Sequence, residues 1–175
     1  RQMRNLVEEL LELAKTDSGQ NKSEFLKLDF SKLVKNTLLL FEPVIFERGL
    51  TLSSRIEDQL YINGNAQHLQ QILDILLDNA QKYALSPGWV RAELTRIGRC
   101  RCRLSISNTG STLSDDELKN IFKRFYRADK ARTRDGSFGL GLSIAENIVL
   151  EHHGRIWAES NNGVNSFYVE LPTEL

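Results

Sequence analysis

The sequence predicts a two-layer α/β sandwich, in which a mixed sheet of about five strands carries three helices on one face. Residues 66 to 83 place Leu69, Ile72, Leu73, Leu76 and Ala80 on one stripe at helical spacing. Val90, Ala92 and Leu94, then Cys100, Cys102, Leu104 and Ile106, alternate with polar residues on either side of Gly98, the pattern of an antiparallel hairpin with one buried face. A helix from about Leu142 to Glu151 precedes two further alternating runs, Arg155 to Ser160 and Ser166 to Leu171.

Taken in order, residues 1 to 15 form an amphipathic helix with Met3, Leu6, Val7, Leu10, Leu11 and Ala14 on its apolar side. About fifteen residues make a marginal helix in isolation, so this stripe needs a partner. The polar run Thr16 to Ser23 marks a boundary, which divides the chain into an appendage, 1–20, and a main domain, 21–175. A second helix begins near Asp29 or Ser31 and presents Leu33, Val34, Thr37, Leu38, Phe41 and Ile45, with Pro43 expected to kink or shorten it. Leu50 to Ile56 and Leu60 to Ile62 read as short strands, and Asn65 as the cap of the long helix behind it. Residues 127 to 138 carry many charges without periodicity, which predicts a mobile loop.

With 175 residues, 41% of them hydrophobic, the chain can bury one sizeable core. Its 23 basic and 23 acidic residues cancel, so no global field attracts nucleic acid or an anionic membrane, and any anion must be captured locally. The longest apolar stretches, such as Leu38 to Phe41, fall far short of the roughly 20 residues that span a bilayer. The start at Arg1 without an initiator Met reads as a piece of a longer protein. Cys100 and Cys102, two apart on a strand, read as core filling, not as a disulfide framework or a zinc site.

Two carboxamides and a glycine-rich loop stand out. Asn79 follows Ile75 by four residues and Ile72 by seven, so it faces inward or nearly so, where an unpaired amide costs about 1–3 kcal/mol. Lys82 and Tyr83 lie one turn on, which sets an oxygen ligand, a cation and an aromatic plate along one helical edge. Those groups suit a Mg²⁺-nucleotide, and they suit equally a core-bonded Asn beside a solvated Lys. Asn108 is in phase with Cys102, Leu104 and Ile106. Its amide can accept from an adenine amino group and donate to a ring nitrogen, or simply open the turn at Thr109-Gly110. Gly136, Gly139 and Gly141 free a backbone whose next helix begins with orphan amides at a positive dipole end. The segment is neither a dinucleotide fingerprint nor a Walker loop, since no third glycine and no Gly-Lys-Ser/Thr occurs in place.

In combination these segments carry a family resemblance. Leu76 to Tyr83 resembles the N box of bacterial sensor histidine kinases, and Ser107-Asn108-Thr109-Gly110 resembles their first glycine box. Ile121 to Lys130 is similar to their F box and Gly136 to Ala145 to the second glycine box, all in the family's order over residues 29 to 172. Leu6 to Ala14 looks like the end of the second dimerisation helix. The resemblance implies the Bergerat ATP-binding fold, with ATP and Mg²⁺ as cofactors and donation of the γ-phosphate to a histidine. It further implies Mg²⁺ coordination by Asn79, phosphate contact from Lys82, adenine stacking by Tyr83 and adenine recognition by Asn108 with Gly110 allowing close approach. The F-box aromatics Phe122 and Tyr126 join the cofactor site, and Arg127 steadies the γ-phosphate. The loop becomes an ATP lid hinged by Gly136, Gly139 and Gly141, with the amides of Leu140, Gly141, Leu142 and Ser143 near the phosphates.

Partners implied in this way are the protein's own dimerisation and phosphotransfer domain and, through the full kinase, a response regulator. The fragment itself would be a cytoplasmic domain of a parent anchored in the bacterial membrane. The chain departs from the family pattern in these places: Ile75 stands where a second Asn is frequent, Asn108 where Asp is usual, and Ser111-Thr112 replaces a glycine-containing turn. Neutral Asn108 keeps an acceptor but loses a charge, which predicts weaker, not absent, ATP binding. His68, His152 and His153 sit in no phosphoacceptor motif and read as solvated helix residues. The phosphorylated histidine is therefore expected upstream of Arg1. Two rival readings remain at this stage, a pseudokinase weakened through Ile75 and Asn108, and another Bergerat ATPase such as an anti-sigma serine kinase.

Overall fold

The structure, a computed structural model, describes residues 2–17, 24–128 and 138–174. Its elements in chain order are α1 (Gln2–Asp17), β1 (Leu26–Asp29), α2 (Phe30–Glu47), β2 (Leu50–Ile56), β3 (Tyr61–Gly64), α3 (Ala66–Tyr83), β4 (Gly88–Ile97), β5 (Arg101–Thr109), α4 (Asp115–Asn120), α5 (Gly141–Glu151), β6 (Arg155–Asn161) and β7 (Val164–Pro172). The main sheet has five strands in the order β2-β4-β5-β7-β6, with β2 and β4 parallel and every other neighbour antiparallel. The expected two-layer sandwich is therefore present, with α2, α3 and α5 packed together along the sheet.

Side-chain alternation decides which face of the sheet is covered. Val90, Ala92 and Leu94 on β4, Cys102, Leu104 and Ile106 on β5, and Phe167, Val169 and Leu171 on β7 all point to the helices and are buried. They meet Leu69, Ile72, Leu73, Leu76 and Leu77 of α3, each essentially inaccessible to water. The opposite face is polar and aromatic: Trp157 stacks on Tyr168 at 5.1 Å between ring centroids, and Arg103 pairs with Glu170 at 2.6 Å.

Helix starts follow local chemistry. Asp29 caps α2 by accepting from the Lys32 amide, Asn65 caps α3 through His68 N–H at 2.8 Å, and Ser114 with Glu117 closes a capping box on α4. Pro43 neither ends nor shortens α2, which runs on to Glu47. Its missing N–H would have met the carbonyl of Leu39, a residue on the solvent side, where water can satisfy the oxygen, and Ile45 beyond it remains fully buried. Gly49, at φ +71, then turns the chain into β2.

Three expectations need correction. Cys100 is exposed and sits in the turn, because β5 starts at Arg101; only Cys102 fills the core. Leu60 to Ile62 does not extend the main sheet, since β3 pairs with β1 in a separate two-stranded ribbon. His152 is not solvated but 3% exposed. Its Nδ1 lies 2.8 Å from the Ile148 carbonyl, its Nε2 accepts the Asn65 N–H at 3.1 Å, and Phe25 stacks on the ring at 4.6 Å. Accepting at Nε2 places the proton on Nδ1, so the ring joins the end of α5 to the start of α3 as a neutral imidazole.

Burial, reinforced by His68 and His153, holds the pKa of His152 below its ordinary value of 6.5 despite the carbonyl of Ile148 and the carboxylate of Glu151. The unfolded chain then binds the proton better than the folded one, so this contribution to stability is complete above about pH 6.5 and is lost as pH falls toward the lowered value. Urea midpoints are expected to drop between about pH 7.5 and pH 5.5. In His152→Leu that drop should be smaller, and an unchanged slope would remove this histidine as its cause.

Candidate functional site

A cleft of about 440 Å³ opens between the second half of α3, the end of β5, the start of α5 and residues 121 to 128. From α3 it receives Ile75, Asp78, Asn79, Lys82 and Tyr83, a spacing of three, four, seven and eight residues from the first, which is one edge of a helix. Lys82 Nζ is held at 2.7 Å by Asp78 Oδ2, and Asp78 Oδ1 accepts from Gln81 Nε2 at 2.8 Å. The lysine is thus oriented along the cleft edge by a carboxylate one turn before it.

Asn108, the last residue but one of β5, is 2% exposed and lines the same cleft. Its Nδ2 donates to the Thr109 carbonyl at 3.0 Å. A carbonyl can only accept, so the amino end of this amide is fixed on the main chain and the oxygen is the end turned to a ligand. Opposite lie Gly141 and Leu142, the first residues of α5. Asp29, Asn65 and Ser114 cap their helices with a side chain, whereas Leu140 at the head of α5 supplies no side-chain cap. The first amides of α5 therefore keep donors for an anion beside the cleft.

The structure brings Asn79, Lys82, Tyr83, Asn108, Tyr126, Arg127, Gly139, Gly141 and Leu142 to this one space. Four other expected site residues stand behind its wall. Gly110 is the close approach: a Cβ there would meet Asn165 Nδ2 at 2.7 Å and Asn108 Nδ2 at 3.1 Å. Phe122 packs edge-on against Phe167 at 6.3 Å, Leu140 is fully buried, and Ser143 donates its hydroxyl to the Leu140 carbonyl at 2.7 Å. Gly136 and most of the expected lid lie outside the described residues.

Sequence reasoning missed Asn165 and Phe167, which line the cleft from β7. Asn165 is the Cα partner of Asn108, donates to the Ser111 carbonyl at 3.0 Å and accepts from Ser160 Oγ at 2.6 Å. Its signal was present in the alternation Asn165, Phe167, Val169, Leu171, had the strand been started two residues earlier. Asn5 and Glu9 of α1 were missed as well, and they line the cleft from the other side. α1 turns Leu13 inward at 5% exposure, while Met3, Val7 and Leu11 of the expected stripe are exposed.

The model for histidine kinase-, DNA gyrase B- and HSP90-like ATPases matches residues 64–175. The chain belongs to this family. Within it, the chain is 38% identical over 174 residues to the sensor protein DltS of Streptococcus agalactiae, covering 99% of this chain and 44% of DltS. It is 34% identical over 171 residues to the signal transduction histidine-protein kinase BaeS of Escherichia coli K12, covering 97% of this chain and 36% of BaeS. The catalytic domain of the histidine kinase ThkA superposes with a TM-score of 0.73 at 26% identity, covering 85% of this chain and 95% of that one. This histidine kinase-type ATPase domain thus spans less than half the length of the curated relatives it matches.

The matched span contains α3, β5 and α5, the three elements whose ends meet at the cleft. Among the described residues no three His, Cys, Asp or Glu side chains are grouped to hold a metal ion. The protein oxygens that a cation in the cleft would meet are the carboxamide of Asn79 and the carboxylates of Asp78 and Glu9, a donor set hard and sparse enough to suit Mg²⁺. No helix among the described residues is long and apolar enough to cross a membrane.

Proposed function

We propose that this chain binds Mg²⁺-ATP in the α3–β5–α5 cleft and donates the γ-phosphate to a histidine on a dimerisation domain, as the catalytic part of a sensor histidine kinase. The observation that carries the reading is the convergence of Asn79, Lys82 and Asn108 with the uncapped start of α5 on one space. Asn108 accepts from the adenine amino group through the oxygen that the Thr109 carbonyl leaves outward. Tyr83 packs against the base, and Lys82 exchanges the Asp78 carboxylate for phosphate oxygens. The open amides of α5 and Arg127 take the far phosphates. Mg²⁺, when bound, supplies the positive charge that lets the phosphates sit together, and Asn79 is its protein ligand.

Residues 1–20 then belong to the dimerisation helix and its linker, and 21–175 to the catalytic domain. The face of α1 bearing Met3, Val7, Leu10 and Ala14 at spacings of four, three and four is solvent-exposed, which supports a helix made for a bundle. A response regulator is the onward acceptor and Mg²⁺ the accompanying metal. The experiment is transfer in trans: with ATP labelled at the γ-phosphate and a separate dimerisation fragment bearing the phosphoacceptor histidine, label moves to that fragment. Asn79→Ala is expected to slow the transfer about 10²-fold or more. A variant that transfers normally removes Asn79 from the site, and no transfer by the parent chain, despite nucleotide binding, supports a binding module over an enzyme.

A further inference from the structure

The last turns of cleft wall come from an element outside the matched family span. α1 packs against α5. It is fastened by Leu13, by Glu12 accepting from Gln71 Nε2 at 2.9 Å, and by Asp17, which meets Arg124 at 2.6 Å and Asn147 Nδ2 at 3.2 Å. Those contacts bring Glu9 and Asn5 into the cleft on the side of Asp78, Asn79 and Lys82. Glu9 thus lines the same cleft as Lys82, feels the pull of that ammonium, and adds a second negative charge to a lysine that Asp78 already pairs with at 2.7 Å.

Resting on the nucleotide reading of this cleft, we propose that docked α1 is an electrostatic gate: Glu9 competes with the nucleotide's phosphates for the Lys82 end of the site. Like charges in a cleft partly shielded from water repel more strongly than in bulk solvent. Burial and the neighbouring Glu12 raise the pKa of Glu9 against the pull of Lys82, which marks its charge as poorly accommodated where it lies. The helix keeps its other face, with Met3, Val7 and Leu10, exposed, so the gate and a helical bundle can coexist. Since each residue advances a helix by about 100°, a modest rotation of α1 carries Glu9 off the cleft without unfolding anything. The helix that presents the phosphoacceptor domain would thereby also set access to ATP.

The test titrates the 175-residue chain with Mg²⁺ and a non-hydrolysable ATP analogue, and in parallel with adenosine. Glu9→Gln is expected to bind the analogue roughly 3- to 10-fold more tightly and adenosine unchanged, the gain shrinking at about 0.5 M salt. Leu13→Ala, which loosens α1 while keeping Glu9, should move affinity in the same direction. Binding seen only after either substitution also supports the gate. Unchanged affinity in Glu9→Gln overturns it, and weaker affinity overturns it in favour of Glu9 as an added Mg²⁺ ligand. Asn79→Ala separates the two readings: if it loses the analogue while Glu9→Gln is neutral, only the gate falls. If Asn79→Ala binds as the parent does, or no form binds, the nucleotide reading falls and takes the gate with it.

Discussion

Asn108→Ala is expected to weaken binding of ATP about 10- to 100-fold, the loss of one buried hydrogen bond to the base. The size follows from the surroundings. Asn108 is 2% exposed, so water cannot replace its oxygen cheaply, whereas the Thr109 carbonyl that its Nδ2 serves keeps the Leu85 N–H at 3.0 Å and is not stranded by the truncation. Because adenine presents a donor where guanine presents an oxygen, the same substitution should erode discrimination against GTP. Aspartate here would not simply restore a family-type site, since its second oxygen would face the Thr109 carbonyl at the present 3.0 Å. Competition titrations with ATP and GTP check both parts. Retained affinity and selectivity in Asn108→Ala would move the base elsewhere in the cleft.

Gly139→Ala is expected to lower the thermal midpoint and to weaken ATP binding by about tenfold. The residue sits at φ +77, a conformation that costs an L side chain about 1–2 kcal/mol. A Cβ there would also meet the Tyr126 carbonyl oxygen at 2.7 Å and Phe125 Cα at 3.2 Å, both main chain that cannot swing aside. The Phe125 amide donates to the Gly139 carbonyl at 3.0 Å, so relief by movement would break the join between the two ends of residues 126 to 138. The next residue, Leu140, accepts from Ile144 N–H and Ser143 Oγ and thereby opens α5. Displacing it misaims the amides proposed for the phosphates. Phe125 itself stands at φ +61, unusual for an aromatic residue, which places strain at the same junction. Calorimetry and titration of one variant read both effects, and a variant with parental affinity would detach this junction from the site.

The parts of the molecule legible in the sequence are those where one face is buried over many residues. α3 and the β4–β5 and β6–β7 hairpins impose their periods over 7 to 18 residues, so the stripe and the alternation survive local noise. β1 has four residues and a partner, β3, more than thirty positions away, which leaves no local pattern to read. α4 buries none of its six residues, and its only signal was the Ser114–Glu117 capping box. His152 looked solvated because it closes a helix, yet the α3 cap it contacts is 87 residues distant in sequence. At the cleft, periodicity marked Asn79 and Asn108 as inward amides but left structural roles open for both, and it was the resemblance of the ordered boxes that singled them out together with Tyr126, Arg127 and Gly139. Glu9 was not legible, because a charged residue on an amphipathic helix is ordinarily a solvated one.

The proposed function requires the cleft to take Mg²⁺-ATP in one orientation. Its most direct test is calorimetric titration of the parent chain and of Glu9→Gln with a non-hydrolysable ATP analogue, with Mg²⁺ and with EDTA, alongside the GTP counterpart. Saturable one-to-one binding that needs Mg²⁺ and prefers adenine over guanine is the predicted result. Absence of binding in both proteins, or equal affinity for the two bases without regard to metal, would contradict it.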